Sequence, residues 1–217
     1  MHGFKGIDSQ TKRISFVGSY TVNGATPVTV DFAGLGIRAG DYALIVSTSS
    51  SGGTYYTNIS AGGWTREADG NVSYVPGSLF SKTLTGAETT LDISGPTSTT
   101  IAAMLLIFRR VDPPHLSDTS VWQSVFQFSS PPNPPLLSSG SVVEDDYVLA
   151  IGMMSAYDLS VTAPAGFTLL DNNGDSGAGS IMAAWATGLT GSIDPGAFGG
   201  IAASPGGMSH TIYLKEP

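Results

Sequence analysis

The chain repeats itself. "AGDYALIVS" (Ala39 to Ser47) is answered by "EDDYVLAIG" (Glu144 to Gly152), and "AGGWT" (Ala61 to Thr65) by "PAGFT" (Pro164 to Thr168). "SLFSKTLTG" from Ser78 is answered by "SIMAAWATG" from Ser180, and "LLIFRR" from Leu105 by "HTIYLK" from His210. "ISFVGSYTV" from Ile14 is answered by "SVWQSVFQF" from Ser120. The matches keep their order at an offset of about 102 to 106 residues, and ordered matches at one spacing read as an internal duplication. Two modules of about 100 residues are therefore expected, residues 1–112 and 120–217. The join is a linker at 113–119, where Pro113 and Pro114 cannot extend a ladder.

Within each module the apolar stretches are short, rich in Val, Ile, Leu, Thr, Phe and Tyr, and bounded by Gly, Pro, Asn or Ser, which is the punctuation of strands and tight turns. No run of ten or more residues carries a period of 3.6. In the first module the pattern predicts strands over 13–20, 28–32, 42–48, 64–68, 79–84, 89–93 and 101–110. "IAAMLLIF", starting at Ile101, is apolar on both alternating faces and so predicts a central strand covered on two sides, by neighbours or by a partner molecule. The expectation is an all-β chain of two tandem, duplicated antiparallel β-sandwich modules; whether each is Ig-like or jelly-roll-like stays open at this level.

Several chemistries find little footing. Seventeen Asp and Glu against nine Lys and Arg leave a net charge of -8, the wrong sign for phosphate neutralisation, so no nucleic-acid partner is expected. The chain has no cysteine, hence no disulfide framework and no thiolate metal site. Its first residues, "MHGFKGIDSQ", lack the basic-then-apolar pattern of a secretory leader, and no apolar run reaches the length of a membrane span, so membrane insertion is not expected. "GLGIRAG" (Gly34 to Gly40) superficially resembles a dinucleotide loop, but that loop must open a helix and here a strand follows. "DNNGDSG" (Asp171 to Gly177) begins like an EF-hand loop, with Ser176 and Met182 where Gly and Glu are needed, and its Asn-Gly favours a solvent-exposed hairpin loop. His2, His115 and His210 have no metal spacing, and no Gly-x-Ser-x-Gly elbow is present. Glu144, Asp145 and Asp146 precede a strand and read as a solvated acidic turn. No catalytic residue, cofactor or metal site is therefore assigned.

Aromatic side chains are the binding candidates. Tyr55, Tyr56 and Tyr74 lie in Gly- and Ser-rich stretches of the first module and Tyr157 in the second, where exposed rings can stack on sugars, or else roof the sandwich or pack on a partner. Trp64 and Phe167 occupy matching places just before a strand and are expected to plug the core of their own modules.

The series "ISFVGSYTV", "AGDYALIVS", "AGGWTREAD", "SLFSKTLTGAE", "AAMLLIFRR" resembles a β-sandwich module of structural proteins of tailed bacteriophages and phage-like gene transfer agents. In that module a Gly-Asp turn leads into an apolar strand, followed by Pro-x-Gly-Trp-Thr and Tyr-Lys-x-Leu-x-Gly-x-Glu phrases, and the last strand ends near Phe-Arg. The likeness covers residues 13–111 well and 120–215 loosely, where Phe167 replaces Trp64, the Lys-and-Glu phrase is missing and "SSPPNPPLL" (Ser129 to Leu137) intrudes. The resemblance implies a non-enzymatic virion protein: a head spike, head fibre, decoration or tail-fibre component, assembled in the bacterial host cytoplasm. It would be bound to other capsid or tail proteins, self-associated as a homo-oligomer such as a trimer, and in contact with host surface glycans. One module would dock on the particle and the other project. A carbohydrate-binding module is the second reading and a surface-polysaccharide hydrolase the third.

Overall fold

The computed structural model describes residues 14–49, 57–72, 75–112, 122–127, 131–137, 142, 146–154, 160–175, 177–201 and 207–215. These residues form thirteen strands and no helix. The first half holds β1 (Ser15–Ala25), β2 (Val28–Asp31), β3 (Tyr42–Ser49), β4 (Asn58–Ile59), β5 (Thr65–Val72), β6 (Val75–Thr83), β7 (Thr90–Ser94) and β8 (Thr100–Arg109). The second holds β9 (Trp122–Gln127), β10 (Tyr147–Met154), β11 (Thr168–Asp175), β12 (Gly179–Ala186) and β13 (Gly207–Leu214). The linker stretch 113–119 lies outside the described residues.

In the first half the antiparallel order β1-β8-β3-β6-β5 makes a five-stranded sheet, faced by a three-stranded sheet β2-β7-β4. The nested pairs β1 with β8, β2 with β7 and β3 with β6 are those of a jelly roll, from which β5 departs by staying in a hairpin with β6. Alternation does the packing. On β3, Ala43 and Ile45 join Val30, Leu91 and Ile93 of the small sheet in one core. Tyr42, Leu44 and Val46 point to the opposite face.

That opposite face is not solvated. It packs against the second half, so Leu44, Met104, Leu106 and Phe108 share a single core with Leu149, Ile151, Ile181, Ile212 and Leu214. The doubly apolar β8 is accordingly buried on both sides, by the small sheet on one and by the second half on the other. Beyond the ends of β8 and β13 the backbone joins the halves too, through a bridge between Asp112 and Lys215.

The second-half sheet has the order β9-β13-β10-β12-β11. Written against β1-β8-β3-β6-β5, each strand falls under the one its sequence matches. The agreement extends to a bulge, which lies between Arg66 and Ala68 on β5 and between Leu169 and Asp171 on β11. The ladders also correct two of the sequence matches. They set Phe80 level with Ala184 rather than Met182, a shift that keeps the face, and Phe108 level with Leu214 rather than Tyr213, a shift that exchanges faces. Leu214 thus lines the shared core while Tyr213 points outward into a smaller cluster with Leu137, Val148 and Ile193.

Where the first half has its three-stranded sheet, the described residues of the second have two isolated bridges, Leu137 with Ile193 and Thr162 with Gly199. Pro131, Pro132, Pro134 and Pro135 supply no N–H, so a ladder cannot form along that strap. Pro132 contributes its carbonyl instead, accepting from the Phe198 N–H at 2.9 Å.

The two large sheets face each other in an approximately two-fold manner: β1 lies over β11 and β5 over β9, while β3 meets β12 and β6 meets β10. Thr48 at the end of β3 donates to the Ala178 carbonyl beside the start of β12 at 3.2 Å. Equivalent strands therefore run in the same direction, and the halves lie side by side rather than end to end.

Candidate functional site

The four tyrosines singled out as contacts, Tyr55, Tyr56, Tyr74 and Tyr157, lie outside the described residues. The described strand ends that flank them can be placed. β3 ends at Ser49, β5 and β6 meet at Val72 and Val75, and β10 ends at Met154. The β3–β6 ladder brings Thr48 level with Gly77, and a side chain at Gly77 would run into Met153 of β10. All of these ends belong to one end of the stack.

The opposite end carries the residues of the module phrases, and it shows what each does. Trp64 is half-buried, packed on the core between the two sheets of its own half, with the Lys82 ammonium 6.0 Å from its ring centroid. Lys82 also pairs with Glu88 at 3.1 Å. The Glu88 carboxylate in turn accepts from the N–H groups of Thr85 and Gly86, both at 2.9 Å, and so pins the turn between β6 and β7. Burial by itself would raise its pKa, but these N–H donors and Lys82 outweigh it and hold the group at about 2. Gly86 sits at φ 83°, and a side chain there would meet the Ala39 backbone nitrogen at 2.7 Å. Leu84 between them is core. The Trp and Lys-Leu-Gly-Glu phrases are thus one contiguous structural device.

Phe167 is also half-buried and packs on the outer clusters of the second half. Gly63 and Gly166 precede the two rings at φ 83° and 81°, the same left-handed turn. The expected core plugs are therefore anchors at the rim, each against its own half, rather than fully enclosed rings. Where the second half has Phe167 in place of Trp64 it also lacks the Lys and Glu, as a shared device requires.

The Gly-Asp turn has an equally definite task. Asp41 is buried and takes the Arg109 guanidinium in a fork, Nε to Oδ1 at 2.8 Å and Nη2 to Oδ2 at 2.7 Å, while the Arg38 N–H donates to it at 2.8 Å. The Asp41 hydrogen bond raises the Arg109 pKa further above its usual value. At the matching place Asp146 is buried too and accepts from the Tyr213 hydroxyl. Burial first, and then the hydrogen bond and charge of Asp146, push the Tyr213 pKa upward. Asp146 is therefore not part of a solvated acidic turn; its partner stands far along the chain and is invisible locally.

Of "DNNGDSG", Asp171 to Asp175 belong to β11 rather than to an exposed hairpin loop, and the turn begins only after them. Asp171 accepts from Ser19 Oγ at 2.6 Å. Asn173 donates to the carbonyls of Val22 at 2.9 Å and Ala103 at 3.1 Å. "GLGIRAG" forms turns with left-handed Gly34, Gly36 and Gly40 and leads into β3, not into a helix. Of the histidines, His210 is described: it is 0% exposed in the middle of β13, and burial lowers its pKa to about 3, so the ring is neutral. Among the described residues no three His, Cys, Asp or Glu side chains come together as a metal site.

Comparison with known proteins adds no identity. No protein family, no curated protein and no solved structure matches this chain.

Proposed function

We propose that this chain is a non-enzymatic structural component of the virion of a tailed bacteriophage or phage-like particle: a surface spike, fibre or decoration protein of the head, or a tail-fibre element. The observation that carries the reading is the use made of the module phrases. Trp64, Lys82, Glu88, Gly86, Asp41 and Arg109 all go into fixing turns and strand ends of a doubly covered β stack. Residues so used support a role in shape and attachment. The matching strand orders and matching bulges support the internal duplication as the origin of the two halves. Its partners are then other capsid or tail proteins and further copies of itself, with the particle as its location. The test is immunogold labelling and mass spectrometry of particles banded on a density gradient from a strain encoding the chain. The protein should co-band at a fixed ratio to the major capsid protein, and recovery in the soluble fraction alone would refute the proposal.

A glycan-binding role is the second reading, favoured by one placement: the strand ends flanking Tyr55, Tyr56, Tyr74 and Tyr157 belong to one end of the molecule. A glycan array or a pull-down on host capsule tests it, with binding expected to vanish in Tyr55→Ala/Tyr56→Ala. Release of new reducing ends from capsule would instead support a hydrolase.

A further inference from the structure

Each half turns equivalent positions toward the other, so overall shape permits three pairings: first half on second, first on first, and second on second. Two lateral strips distinguish them. Where β1 lies over β11, Ser19 donates to Asp171 at 2.6 Å, Asn23 Nδ2 donates to the Gly174 carbonyl at 3.0 Å, and Asn173 donates to the carbonyls of Val22 and Ala103. Asn173 is buried and Asp171 partly so, which makes these partners consequential. The β5 positions level with Asp171 and Asn173 hold Ala68 and Gly70. The β9 positions level with Ser19 and Asn23, in register with Ile212 and Met208, hold Trp122 and Phe126.

We infer that these strips are a pairing code that makes the second-half face the specific partner of the first-half face. Two first halves would set Ser19 and Asn23 over Ala68 and Gly70, so the Ser19 hydroxyl would lose the Asp171 carboxylate and Asn23 would lose the Asn173 amide oxygen. Two second halves would set Asp171 and Asn173 over the positions of Trp122 and Phe126, so the Asp171 carboxylate would lose the Ser19 hydroxyl and the Asn173 amide oxygen would lose the Asn23 Nδ2 donor, now at 3.4 Å. The unlike pair brings Ser19 to Asp171 and Asn23 to Asn173, side-chain partners that neither like pair supplies. The face of one half is therefore a recognition surface for the other half, in its own chain or in a second copy, and it holds without the covalent link.

The experiment starts from the full chain with a specific protease site placed within residues 113–119. After cleavage, native mass spectrometry and gel filtration should give a 1:1 complex of the two fragments, and the same complex should re-form without like pairs after unfolding and refolding. Asp171→Ala/Asn173→Gly writes the β5 residues into β11 and should weaken the fragment complex at least about tenfold. Adding Ser19→Ala/Asn23→Ala, which removes the donors left unpaired, should cost less than it does in the unaltered chain. Fragments that separate on cleavage, like pairs in statistical proportion, or strictly additive effects of the two substitution sets would each overturn the inference.

Discussion

His210 ties the stability of the molecule to pH. Its ring is fully buried on β13 opposite Ile151 of the shared core, and its pKa is lowered to about 3 from an ordinary 6.5. The unfolded chain takes up a proton below pH 6.5 and the folded chain does so only near 3. Stability from this group is therefore complete above pH 6.5 and falls as the pH drops through that window. The slope is one proton, about 1.4 kcal/mol per pH unit. At pH 5, well above the folded-state value, the loss is set by the unfolded state alone: some 1.5 units at that slope, or about 2 kcal/mol. The natural comparison is His210→Met, since Met104 stands opposite Val46 on β8 as His210 stands opposite Ile151 on β13. Urea unfolding at pH 8 and pH 5 measures both proteins, whose other titrating groups cancel in the difference. The stability gap between variant and parent should move by about 2 kcal/mol in favour of the variant on going from pH 8 to pH 5. A gap that stays constant would mean that His210 is protonated in the fold, and the argument from burial would be wrong.

Three further outcomes follow from the same geometry. Arg109→Gln removes the fork on buried Asp41 and should cost about 2 to 3 kcal/mol in chemical denaturation, less than for a fully buried pair because Arg109 is partly exposed, whereas exposed Arg38→Gln should stay within about 0.5 kcal/mol. Because Leu149 belongs to a core that also contains Leu44 and Leu106, Leu149→Ala should cost about 3 kcal/mol, and calorimetry should show both halves melting together before and after the change. Two separate transitions would show that the halves are energetically independent. Gly86→Ala must fit a left-handed residue and a methyl 2.7 Å from a backbone nitrogen, so it should lower the melting temperature distinctly more than Gly166→Ala, which has a similar φ but open space around it.

Much of the first half was legible because alternation and turn residues mark strands directly. The stretches read as 28–32, 42–48 and 101–110 appear as β2, β3 and β8 with ends moved by a residue or so. β4 escaped notice because two residues carry no period. The outer layer of the second half escaped because its prolines replace a ladder with single bridges. Periodicity also could not choose the register of β13, where Ile212, Tyr213 and Leu214 are apolar in succession and the β10 ladder decides which face each takes. "IAAMLLIF" did announce two covered faces, but identifying the second cover as the other half of the same chain needs three dimensions. The same holds for the polar roles. Asp146, Asp171 and Asn173 look solvated or loop-like locally, and their partners Tyr213, Ser19 and Val22 come from distant strands.

The common direction of equivalent strands has one more consequence. Sheets stacked about 10 Å apart with the same polarity give the molecule a top and a bottom, each built twice. On the virion role proposed above, attachment through one end would leave both halves at equal height, with equivalent strand ends of the free end side by side. A ligand carrying two linked copies of one epitope would meet the second such end at millimolar effective concentration, and on the same role an array of chains would multiply that avidity again.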